Sequence, residues 1–181
     1  INIRRSKPTG ELGGKIEASY GSFKSKAVRA VFNVPIIEDA LSSKVWYFHN
    51  DTDGFHRHGV TGKRAGGANN ENFGASFLAK TSNGNFDALL TVEKQIQDFE
   101  TVNSSLTQSS ELFCNIAALG GAASPLAPPA NQCNRNNRKD LYTVFGQDTG
   151  GTYSSPAVTL EMNLDAGGVK FTTVSGYRKS T

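Results

Sequence analysis

Hydrophobic and polar residues alternate with a period of two along most of this chain. Between Phe86 and Gln95, Phe86, Ala88, Leu90 and Val92 fall on one side, and Asp87, Thr91, Glu93 and Gln95 on the other. That is the signature of a strand with two unlike faces. The pattern recurs where Val158, Leu160, Met162 and Leu164 oppose Thr159, Glu161 and Asn163, and where Phe73, Ala75, Phe77 and Ala79 oppose Gly74, Ser76 and Lys80. Val28, Ala30, Phe32 and Val34 likewise oppose Arg29 and Asn33, and Ile16, Ala18 and Tyr20 oppose Lys15, Glu17 and Ser19. Two runs alternate less cleanly. In one, Trp46 and Phe48 oppose Tyr47 and His49; in the other, Val169, Phe171 and Tyr177 oppose Lys170, Thr172 and Arg178. The pattern predicts strands near residues 13–22, 26–34, 43–53, 72–81, 86–97, 157–164 and 169–179.

Each run is about 10 residues long, the length a tilted strand needs to cross a bilayer, whereas strands of soluble proteins usually run about 5 to 6. The connections alternate between brief turns and long polar loops. The expected fold is therefore all-β, an antiparallel up-and-down transmembrane barrel. A soluble β-sandwich binding or adhesion module shares the alternation and is the competing reading.

Turn chemistry favours hairpins. Asn83-Gly84 lies between two alternating runs and predicts a type I′ turn with both central residues at positive φ. Asp165-Ala166-Gly167-Gly168 predicts a second tight turn, and Pro35 is expected to end the second run because it donates no ladder hydrogen bond. Residues 54–69 and 98–155 form the two long connections. Loops of that length call for a functional role or disorder.

Composition narrows the picture less. A chain of 181 residues suits one domain, and a net charge of +3, spread along it, argues for no nucleic-acid partner. No apolar run approaches the roughly 20 residues of a spanning helix. The mean hydropathy of −0.39 excludes only helical membrane proteins, because barrel strands spend half their positions on a polar interior. The chain opens at Ile1 without a basic, apolar leader, as a mature or trimmed product would.

The second long loop holds both cysteines, Cys114 and Cys133, flanking a stretch rich in proline and alanine. A disulfide between them is expected, contributing roughly 3 kcal/mol through the unfolded chain and implying an oxidising compartment. Their spacing lacks the paired C-x-x-C of a zinc or redox site. His49, His56 and His58 cluster in sequence with Asp51 and Asp53, a donor set for a transition metal; the plainer reading is a polar strand end. His56, His58, Lys63 and Arg64 are the candidates for contacting an anionic ligand. Trp46, Tyr20 and Tyr177 are candidates for aromatic girdles at the membrane interfaces. There is no G-x-S-x-G, no G-x-x-x-x-G-K-[ST] and no G-x-G-x-x-G, so neither an enzyme nor a cofactor is expected.

Ile1-Asn2-Ile3-Arg4, then Lys7-Pro8-Thr9-Gly10-Glu11, then Gly14 through Gly21 resemble the junction between plug and barrel in TonB-dependent outer-membrane receptors. Val28-Arg29-Ala30 through Pro35 looks like the second barrel strand of that family, residues 50–55 like the end of the third, and Thr61-Gly62-Lys63 like the loop leading to a fourth beginning near Asn72. The resemblance extends to about Glu93 and is generic beyond. It implies that residues 1–10 end a plug and that residues 11–181 are the first seven strands of a barrel of about 22. It also implies a bacterial outer-membrane location and energised uptake of a scarce nutrient such as a ferric siderophore, cobalamin or a carbohydrate. The implied partners are the remaining plug and barrel strands, membrane lipid, TonB, and a small ligand such as a metal chelate. With the plug on the periplasmic side, the short turns fall inside and the long loops outside, as in barrels of this type. An odd strand count with two unpaired edges, and an end at Lys179-Ser180-Thr181 just past a strand, predict a fragment. A passive porin-like channel is the other alternative.

Overall fold

A computed structural model describes residues 6–54, 56–58, 63–100, 141–142 and 150–181, with backbone alone for 56–58 and 141–142. The chain divides into two compact units: residues 1–51, 69–97 and 152–181, and residues 52–68 and 98–151.

The first unit is built on one open antiparallel sheet of seven strands, in the order β1-β2-β3-β6-β7-β9-β10. These strands are Gly13–Tyr20 (β1), Lys26–Ile37 (β2), Leu41–Thr52 (β3), Ala68–Lys80 (β6), Phe86–Glu100 (β7), Gly150–Asp165 (β9) and Lys170–Arg178 (β10). The second unit contains a small three-stranded sheet of Arg64–Ala65 (β5), His56–His58 (β4) and Leu141–Tyr142 (β8), with β4 antiparallel to β5 and parallel to β8. Within the large sheet every strand lies beside the next long strand in sequence, as expected when successive alternating runs are joined by hairpins.

The antiparallel order sends the connections after β2, β6 and β9 out of one end of the sheet, and those after β1, β3 and β7 out of the other. The first set is short: residues 38–40, 81–85 and 166–169. Two of the second set are long, residues 53–67 and 101–149, while residues 21–25 turn tightly through a 3-10 segment, Ser22–Lys24.

Several local expectations are corrected. Pro35 does not end β2; the strand continues to Ile37, with Pro35 opposite Ser42 and a bulge before Ile37. Because β1 reaches only to Asn33, the missing N–H falls where β2 has a neighbour on one side only. The Asn83-Gly84 hairpin is not type I′, since Gly84 (φ 70) is in the left-handed region and Asn83 is not. Instead the Gly84 N–H closes a β-turn on the Thr81 carbonyl (2.9 Å), and the Asn83 side chain accepts from the Asn85 N–H (3.1 Å), so the loop is one built around a turn. The paired positive φ values occur at Gly167 (72) and Gly168 (110), where the Ala166 N–H meets the Val169 carbonyl at 3.0 Å. Strand β9 begins at Gly150, not near residue 157. Its Gly-Gly-Thr-Tyr-Ser-Ser start has loop composition, but the ladder recruits it: Ser154 and Thr181 exchange two backbone hydrogen bonds, 2.8 and 3.0 Å.

The third run is read on the wrong phase by its aromatic residues. Register places Val45, Tyr47 and His49 opposite Phe32, Ala30 and Val28, and Trp46 opposite Val31. The apolar face of the neighbouring strand thus continues through Val45 and Tyr47. Trp46 and Phe48 join Arg29, Asn33 and Lys44 on the polar face. Ladder pairing overrides hydrophobicity here, because a strand cannot change phase without a bulge.

Candidate functional site

Burial on this sheet is inverted. On the face formed by the clean apolar alternations, Val28, Phe32, Val34, Val45, Tyr47, Phe73, Phe77, Leu90, Val92, Val158 and Leu164 are all exposed, for example Phe32 at 44% and Leu90 at 37%. Among the described residues only Ala65, Leu78 and Ala157 are buried hydrophobics, whereas Lys44, Ser76, Glu93 and Ser155 are buried polar residues. Charged residues are rarely so buried unless paired. Lys44 and Glu93 retain only 6% and 8% exposure.

The polar face carries several clusters of side-chain contacts that bridge neighbouring strands. Arg178 on the edge strand β10 donates to Ser155 Oγ (3.0 Å) and to Glu93 Oε1 (2.9 Å), tying β10, β9 and β7 together. Nearer the short-turn end, Asn163 Nδ2 donates to Asp87 Oδ2 (3.0 Å) and Glu161 Oε1 (3.3 Å), while its carbonyl oxygen accepts from Thr172 Oγ1 (2.8 Å). On β3, Lys44 sits 5.6 Å from the Trp46 ring, and the Trp46 indole N–H donates to Asn72 Oδ1 (2.8 Å). Arg29 lies 5.6 Å from the Phe48 ring. These cation–π contacts explain how two aromatic residues are accommodated on a polar face. Gly74 makes room for the neighbouring strand and for the tryptophan: a β-carbon there would collide with the Val92 carbonyl oxygen and come within 2.5 Å of Trp46 Cζ2.

The segment leading into β1 lies against this polar face. Lys44 Nζ donates to the Ser6 carbonyl and to Ser6 Oγ (3.1 Å). Lys7 Nζ reaches Asp87 Oδ2 at 3.3 Å and Glu161 Oε1 at 3.7 Å. Pro8 is buried, and the Thr9 N–H donates to Asn33 Oδ1 (3.3 Å). Thr9 and Glu11 then line a cleft with Ile37, Asp39, Leu41 and Leu78 at the short-turn end. None of these contacts is local in sequence, so no motif announces them. The available signal was weaker: alternation had already assigned Asp87, Glu93, Glu161 and Arg178 to the polar sides of their strands.

The residues singled out from sequence are distributed differently. His49 stacks on Tyr47 (6.5 Å between centroids, 7° between planes) on the apolar face. His56 and His58 are in β4, of which only backbone is described; His56 pairs with Ala65, and Arg57 with Arg64. The fold thus sets the backbone of His56–His58 beside Arg64, with Lys63 next in sequence and both cationic residues exposed. No group of three or more His, Cys, Asp or Glu suited to a metal forms among the described residues, Asp51 and Asp53 included. Cys114 and Cys133 lie outside the described residues, which contain no cysteine and no disulfide. Tyr20 and Tyr177 are on the apolar face, 75% and 68% exposed; Trp46 is not, which removes it from an outward-facing girdle. Among the described residues no helix is long and apolar enough to cross a membrane, a test that does not address strands.

No protein-family profile, no curated protein and no solved structure matches the chain.

Proposed function

We propose that this chain is part of the wall of a bacterial outer-membrane β-barrel, and specifically of a TonB-dependent receptor for energised uptake of a scarce nutrient. The observation that carries the reading is the inverted sheet: a broad exposed face of Val, Phe and Leu behind a polar face on which Lys44 and Glu93 are buried and partnered. In water such a face would leave most of the apolar side chains unburied, at about 25 cal/mol for each Å² left wet. In a bilayer the same arrangement is the stable one, with apolar residues toward lipid and polar residues toward the lumen.

Strand length supports this. Strands of 12 to 16 residues (β2, β3, β6, β7 and β9) exceed what a tilted crossing of a roughly 30 Å hydrocarbon layer requires. The asymmetry of the connections agrees with short periplasmic turns and longer outer loops. The edges β1 and β10 are exposed along their whole length and call for further strands of the same barrel. The receptor assignment, as opposed to a passive channel, rests on the resemblance around Ile1 to Glu93 and on a leading segment that lies on the polar face, where a plug would meet its wall. Ligand would be met by the outer connections, with Lys63 and Arg64 suited to an anionic chelate.

The test is a quenching experiment on the full chain in lipid vesicles, with Cys114 and Cys133 replaced by serine. Single cysteines carrying a fluorophore at Phe32, Leu90 and Leu160 are expected to be quenched by brominated lipid, and those at Asn33, Thr91 and Thr159 by aqueous iodide. Iodide quenching at all six sites, with none from lipid, would establish a soluble sheet instead. Uptake by cells carrying the parent protein, abolished when the inner-membrane proton gradient is collapsed, separates a receptor from a porin-like channel.

A further inference from the structure

We infer that residues 6–11 are a strap that anchors the edge strand β1 to the body of the sheet, and that Lys7 is its latch. Strand β1, like β10, is an edge strand of the sheet, and it is the one the chain enters from residues 6–11. It has one neighbour, every residue in it is exposed, and its ladder to β2 begins at Gly13, opposite Asn33. Any pull on the chain ahead of β1 that reached Gly13 would open this ladder one pair at a time, starting from its end. The strap prevents that by spreading the load. Ser6 is held by Lys44 of β3, Lys7 by Asp87 of β7 and Glu161 of β9, and Thr9 by Asn33 of β2. Four strands other than β1 therefore hold the chain before it reaches the ladder.

Lys7 is the part that can be released. Its ammonium lies between two carboxylates already joined by the Asn163 amide, so the acceptor site is preassembled. The pairs are partly exposed, and such ion pairs weaken in salt. The latch is thus strong enough to hold the strap at rest and weak enough to open under load. This mechanical role stands on the contacts themselves; the barrel reading adds only that the chain ahead of β1 is a plug on which force is exerted.

The experiment is hydrogen exchange on the full chain, comparing wild type with Lys7→Gln and Lys7→Arg. The glutamine variant is expected to raise exchange of the hydrogen-bonded Thr9 and Glu11 amides about fivefold, with a parallel rise at Gly13–Glu17, while β3 and β7 stay unchanged. The arginine variant is expected to restore protection, and 1 M salt to move wild type toward the glutamine variant. Unchanged exchange at Thr9 and Glu11 in Lys7→Gln would overturn the latch. A freed strap with β1 still protected would overturn the anchor. A uniform rise through β3 and β7 would show a general stability effect, overturning both. Loss of the barrel reading in the quenching experiment would leave these outcomes readable, since exchange reports on the sheet in any solvent.

Discussion

The two faces of the seven-stranded sheet are made by the same backbone and differ only in which side chains each strand turns to either side, yet they are held by opposite means. On one face Val28, Phe32, Leu90 and Val158 remain exposed and make no core. On the other, two clusters bridge strands side chain to side chain, Arg178 with Glu93 and Ser155, and Asp87 with Asn163 and Lys7. The polar face is specified within the chain by directional contacts. The apolar face is left for the surroundings to satisfy. An ordinary soluble sheet has the reverse arrangement, with its apolar face packed on a core and its polar face solvated.

The sharpest way to break this comparison is to place charge on the apolar face. In lipid vesicles Leu90→Arg is expected to lower unfolding stability by about 3 kcal/mol, and Thr91→Arg by less than about 1 kcal/mol, measured by denaturant titration. Equal, small effects would mean that the apolar face does not meet lipid. Next in size is the polar network. Removing the guanidinium with Arg178→Leu takes a partner from the buried Glu93 carboxylate, a loss of about 2 kcal/mol once the half-exposed position of Arg178 is allowed for. A double-mutant cycle with Glu93→Gln should recover most of that as coupling energy; additive losses would show that the two residues act separately.

Packing on the polar face gives a comparable but distinct expectation. Gly74→Ala drives a methyl group against the Val92 carbonyl oxygen and the Trp46 ring and should cost about 2 kcal/mol, with a shift in tryptophan emission that Ala75→Gly does not produce. The smallest effect has the opposite sign. Phe23 (φ 60) and Lys24 (φ 54) turn the chain between β1 and β2 in a conformation that favours asparagine or glycine. Phe23→Asn is expected to stabilise the chain by about 1 kcal/mol, without altering which residues meet lipid or water. A destabilisation would show that the exposed phenylalanine ring contributes more than its backbone strain costs.

How much of this was legible beforehand depended on the range of each interaction. The alternation of Phe86 through Gln95 was readable because a strand's period is two wherever it sits. The phase of β3 was not, since Trp46 and Phe48 look like the apolar side until pairing with Val31 and Arg29 fixes them on the polar one. Gly150 to Ser155 read as loop because glycine and serine carry little strand preference, and only the ladder to neighbouring strands made them β9. His49 and His56 looked like one cluster because they are near in sequence, but His49 is turned to the apolar face beside Tyr47.

The sequence by itself determined the all-β class, the seven long runs, the brief turns and the two faces, because these follow from side-chain periodicity and from residues with restricted or permissive φ. Tertiary structure alone decided strand phase, the reach of β2 past Pro35, the three-strand bridge from Arg178 to Glu93, and the strap. Each depends on residues well separated in sequence meeting in space, such as Lys7 and Asp87, 80 positions apart. Hydrogen-bond register sets such meetings, and local composition carries no record of it.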